Sequence, residues 1–76
     1  MVKIMTNEEI ANAIKYHREN LDITSQEMAD QLKISPSTYT KIEKGIRVVT
    51  AAEFVEISKI FDMSMDDIIN KLGRRG

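Results

Sequence analysis

An all-α fold, a compact five-helix bundle, follows from three observations on this 76-residue chain. Apolar residues recur at three- and four-residue steps along five segments, no segment alternates with the period of a strand, and each segment opens on residues that cap helices. A chain of this length has room for one core and none for a second, and such a core is only marginally sufficient without a staple or a partner. A composition of 42% hydrophobic and 30% charged residues is that of an ordinary globular protein.

The helices are expected at 7–20, 25–32, 36–44, 51–61 and 65–72, within a single unit over 1–76. Thr6 or Asn7 caps the first, whose stripe is Ile10, Ala13, Ile14, His17 and Leu21. Thr24 with Glu27 three residues later is a capping box, and Met28, Ala29 and Leu32 give the second helix its inward face. Ser35 caps the third and Pro36 takes its first position, where a missing N–H is harmless because that donor has no partner inside the helix. Gly45 supplies the left-handed residue that stops it. Thr50 caps a fourth helix carrying Phe54, Ile57, Ser58 and Phe61, and Ser64 with Asp67 starts a fifth carrying Ile68 and Leu72.

Several classes of protein are disfavoured at this level. The chain has no cysteine, so disulfide staples are excluded. The N-terminal residues lack the apolar run of a signal peptide and nothing later approaches a membrane span, so a cytoplasmic protein is expected. There is no nucleophile–base pair, no metal-ligand cluster and no Gly-rich phosphate loop, so an enzyme is not expected, nor any cofactor or metal. His17 has no second His and no Cys to complete a metal site and reads as a packing residue.

The segment Thr24 to Gly45 holds two short helical patterns separated by a turn of a few residues, a helix-turn-helix. The second of two such helices can enter the major groove of DNA, which is wide enough for one helix and its side chains. The net charge of −1 is unlike a nucleic-acid binder, yet it hides a split. Residues 1–32 carry −3 and residues 48–70 carry −4, whereas residues 33–47 and 71–76 carry +3 each. Positive charge therefore gathers on the second helix of the motif, with Lys33, Lys41, Lys44 and Arg47, and on a tail with Lys71, Arg74 and Arg75.

The run Ile-Ser-Pro-Ser-Thr-Tyr-Thr-Lys-Ile-Glu-Lys-Gly, from Ile34 to Gly45, resembles the recognition helix of the phage repressor and Cro family, the XRE family of helix-turn-helix proteins. Arg18, Met28-Ala29, Glu43, Gly45 and the stretch from Phe61 to Ile69 match further positions of the family pattern. The resemblance implies a lambda repressor-like DNA-binding domain in which Pro36, Ser37, Thr40 and Lys41 lie on the base-reading face. Lys41 can donate to guanine O6 and N7, and the Ser37 and Thr40 hydroxyls can donate or accept. Thr24, Ser25 and Gln26, at the start of the second helix, are expected to anchor phosphate, with Lys44 and Arg47 on the flanking backbone. The family's glutamine at the position of Ser25 stands one residue later here, at Gln26, and its Asn before the stopping glycine is Lys44. Arg18 and Glu43 resemble the family's interior ion pair. Ser37 and Lys41 also admit a plain reading as solvated side chains, as Thr24, Ser35 and Gly45 do as ordinary caps.

Ile46, Val48, Val49, Val55, Ile60, Met65 and Ile69 exceed what one small core needs. A twofold dimer is expected, with Met65, Ile69 and Val49 as its candidate contacts, because it would set two recognition helices about 34–36 Å apart on successive groove faces of a palindromic site. The favoured function is a sequence-specific double-stranded DNA-binding regulator, a repressor that occupies its operator. The alternative is an antitoxin-type interaction protein whose apolar surface meets a partner protein while it autoregulates its operon.

Overall fold

A computed structural model describes residues 6–73, with side chains up to Asn70. Five helices follow in order, α1 (Asn7–Asn20), α2 (Ser25–Leu32), α3 (Pro36–Glu43), α4 (Ala51–Phe61) and α5 (Met65–Gly73), and the described residues contain no strand. The starts coincide with the expected ones because N-capping is a contact within four residues. Thr6, Thr24 and Thr50 each accept from the backbone N–H three residues on, and Glu9, Glu27 and Glu53 reach back to the cap N–H, three complete capping boxes. Ser35 accepts from Thr38 N and Ser64 from Asp67 N. Asn7, one of two candidates for the first cap, is used otherwise: its side-chain amide donates to Gly45 O at 2.7 Å.

The ends differ more. α3 stops at Glu43 rather than at 44, since Lys44 is its C-cap and Gly45 leaves the helix at φ +76°. A Cβ at Gly45 would lie 3.2 Å from Glu8 Cγ, so both backbone angle and space favour glycine there. The other turns use left-handed non-glycine residues, Asp22, Lys33 and Asp62. Leu21, expected on the apolar stripe, caps the C-terminus of α1 and is exposed, because the chain has already turned away from the core.

The core is one cluster. Ile14 of α1, Met28 of α2, Tyr39 and Ile42 of α3, Ile57 of α4 and Ile68 of α5 are fully buried and mutually packed, with Phe61 beside them. Removing apolar area of this kind from water contributes about 2 kcal/mol per large side chain. α2 packs on α3, α1 on both α3 and α5, and α4 on α2 and α5. His17 is buried against the last helix, its ring Nε2 donating to Ile68 O at 2.9 Å, which fixes the ring as a packing and hydrogen-bonding element. Val49 and Ile60, counted as surplus from sequence, rest against this core. Ile46, Val48, Val55 and Met65 are exposed. The basic tail with Arg74 and Arg75 lies outside the described residues, as do the side chains of Lys71 and Leu72.

Candidate nucleic-acid interface

α3 is held to the core by one face and leaves the other in solvent. Tyr39 and Ile42 point inward and are fully buried, while Pro36, Ser37, Thr40, Lys41 and Lys44 are exposed. On a helix, residues three and four apart share a face, so Ser37, Lys41 and Lys44 form one ridge with Thr40 beside it. Thr40 Oγ donates to Pro36 O at 3.0 Å. Its proton is thereby engaged, and the hydroxyl presents its lone pairs outward as an acceptor.

The orientation of this helix is fixed by ionic contacts with the end of α1. Arg18 Nε lies 2.6 Å from Glu43 Oε2 and its Nη2 lies 3.2 Å from Oε1, while Nη1 donates to Ile23 O at 2.8 Å. Tyr39 OH donates to the same Glu43 carboxylate. The two charged side chains are only 13% and 11% exposed, so the pair is largely removed from water. The hydrogen bond to Glu43, and secondarily its charge, raise the Arg18 pKa although burial opposes this. Burial first, and the bond to Glu43 second, push the Tyr39 phenol far above its ordinary value, so it stays a proton donor.

At the start of α2, Thr24, Ser25 and Gln26 are all exposed. Thr24 is taken up by its own cap: Oγ1 accepts from Glu27 N at 3.0 Å and donates to Glu27 Oε1 at 3.2 Å, and Thr24 N donates to Glu27 Oε1 at 2.8 Å. Ser25 and Gln26 make no side-chain hydrogen bond among the described residues. Glu27 thus places a negative charge beside the helix end that was expected to anchor phosphate.

Arg47 is the site residue whose surroundings the sequence did not disclose. Its Nη1 and Nη2 each lie 2.9 Å from an oxygen of Glu53, a two-pronged pair across the turn into α4, and Nη1 also reaches Val48 O at 3.4 Å. The bond from Arg47 is the main reason the Glu53 carboxyl is lowered to about 2, with help from the backbone of Thr50 and against some desolvation. A charge pair six residues apart on either side of a cap was the available signal. The remaining candidates lie elsewhere: Met65 is 42% exposed on α5, Ile69 is partly buried and Val49 packs on the core.

These features define a five-helix, helix-turn-helix protein, and its sequence matches the helix-turn-helix family over residues 14–68. The chain belongs to that family, of XRE type, and in it to the class of DNA-binding transcription regulators. Two crystal structures of the clp gene regulator ClgR from Corynebacterium glutamicum share its fold. One aligns over 88% of this chain and 87% of its own with a TM-score of 0.78, the other over 90% and 72% with a TM-score of 0.80, each at 19% identity. A search of curated proteins finds no match. Among the described residues no helix is long and apolar enough to cross a membrane.

Proposed function

We propose that this chain is a sequence-specific regulator that binds double-stranded DNA through the major groove, a repressor that occupies a palindromic operator as a homodimer in the cytoplasm. It acts by binding, not as an enzyme, with residues 1–76 as one unit. The observation that carries this reading is the division of α3 into a buried face, Tyr39 and Ile42, and an exposed face of hydroxyls and amines. Ser37, Thr40 and Lys41, with Pro36 at the helix entry, read base edges; Ser25, Gln26, Lys44 and Arg47 hold phosphates, and Thr24 orders the helix end between them. The dimer forms through Met65 and Ile69 of α5, with Val49, in the turn before α4, as a further contact.

The test is fluorescence anisotropy against DNA from upstream of the chain's own gene and against a scrambled duplex, over a salt series. Preference for the upstream DNA is expected; equal binding to both would remove sequence specificity, and no binding to either would remove the DNA reading. In the same assay Lys41→Ala is expected to lower specific binding more than non-specific, whereas Lys44→Ala weakens both alike. Met65→Asp is expected to give a monomer by light scattering, and a persisting dimer would move the interface.

A second reading has its own support. Ile46 and Val48 are 69% and 67% exposed on the loop after α3, an unusual place for branched apolar side chains, and an antitoxin-type protein would cover them with a partner protein. Co-purification with the product of a neighbouring gene, lost in Ile46→Ser, would favour it.

A further inference from the structure

We propose that Glu53, an acidic residue, is a positioning residue for DNA binding: it grips one edge of the Arg47 guanidinium and aims the other edge at a backbone phosphate beside the groove that α3 reads. The inference rests on the DNA-binding reading above. Arginine carries five N–H donors in a rigid planar fork. Here Nη1 gives its two to Glu53 Oε1 and Val48 O, and Nη2 gives one to Glu53 Oε2. The Nε–H and the second N–H of Nη2 have no partner among the described residues, and together they form the side edge of the fork, which accepts a phosphate through two parallel bonds.

Three further contacts set where that edge lies. Ile46 N and Arg47 N both donate to Lys41 O, at 3.0 and 3.2 Å, so the loop is tied to the backbone of a base-reading residue. Glu53 Oε1 also accepts from Thr50 N at 3.0 Å, and Thr50 Oγ1 accepts from Glu53 N at 3.1 Å, so the carboxylate is locked into the first turn of α4. Asn7 closes the loop from the other side through Gly45 O. Arg47 is therefore registered against Lys41 on one side and α4 on the other. A long cation that would otherwise lose its rotamer freedom on meeting DNA has lost it already.

Charge alone predicts the reverse, since removing an acid from beside a polyanion should tighten binding. The experiment exploits that opposition. Phosphate contact is independent of sequence, so a fluorescein-labelled mixed-sequence duplex serves as the probe, with anisotropy read across a salt series. Arg47→Ala is expected to weaken binding roughly tenfold and to make the log–log salt slope shallower by about 0.9, one phosphate's worth. Glu53→Gln keeps the capping box, because glutamine serves at that position as well as glutamate, and is expected to weaken binding roughly threefold, the effect of freeing one rotamer-rich side chain. In an Arg47→Ala background Glu53→Gln is expected to change nothing, the signature of a residue that acts through its partner. Arg47→Lys, which keeps the charge without the fork, is expected to retain the salt slope and to be equally insensitive to Glu53→Gln. Binding by Glu53→Gln as tight as the parent's or tighter, or a loss that persists without Arg47, would overturn the proposal while leaving DNA binding intact. A parent protein that binds neither this duplex nor upstream DNA would overturn the DNA reading and this inference with it.

Discussion

Two arginine–glutamate pairs stand near the C-terminal end of the exposed ridge, and they differ in what surrounds them. Arg18 and Glu43 meet between α1 and α3 with about nine-tenths of each side chain out of water, and each has a further partner, Ile23 O for the arginine and the Tyr39 hydroxyl for the glutamate. Arg47 and Glu53 have similar two-pronged geometry and the glutamate is nearly as covered at 16% exposed, yet the arginine side chain is 33% exposed and the Nε edge of its fork is open. The chemistry of the pair is shared; burial, and which edge of the fork is left to solvent, decide its consequence. A buried pair holds two helices in one arrangement, because losing either partner strands the other charge away from water. An open pair at the rim contributes little to folding, because solvent screens it, and leaves donors for something that arrives later.

The sharpest way to break this comparison is Glu43→Ala, expected to lower the unfolding free energy by about 3 kcal/mol in urea titration. Arg47→Ala should leave the urea midpoint close to the parent's; equal losses from the two would erase the distinction. Gly45→Ala comes next, at about 1 kcal/mol, since a left-handed backbone and the nearby Glu8 both resist a methyl group between the two pairs. The smallest effect lies in acid. Glu53 has its ordinary value of 4.5 in the unfolded chain and is lowered to about 2 in the folded one. Its contribution is thus complete above 4.5, is lost as pH falls toward about 2, and is absent below that. Thermal unfolding of Glu53→Gln followed from pH 6 downward is expected to fall less steeply than the parent across that window; parallel curves would mean that the pair is not formed in solution.

What was legible in the sequence divides along the same line between local and distant contacts. Thr6, Thr24, Ser35, Thr50 and Ser64 announced the helix starts because a cap and its partner are three residues apart. Met28 and Ala29 announced the inward face of α2 by spacing alone. The exit of α3 was misplaced by one residue, and Leu21 was given to a stripe that the chain had already left, because helix ends depend on where the next segment goes. The Arg18–Glu43 contact, 25 residues apart, was reached through family resemblance. Nothing in periodicity could reach Arg47 with Glu53, or Asn7 with Gly45, since these follow from how the turns fold back on the helices.

The bond from Asn7 to Gly45 is a product of the fold more than a cause of it. Its ends are 38 residues apart in the chain, and closing a loop of that length is an entropic loss that a single hydrogen bond cannot offset. It therefore depends on the packing of α1 against α3 to bring its ends together and does not drive that packing. Ile46 N and Arg47 N bind the Lys41 carbonyl from within the same turn, so the latch adds the start of α1 as a second wall to a loop already registered on the ridge.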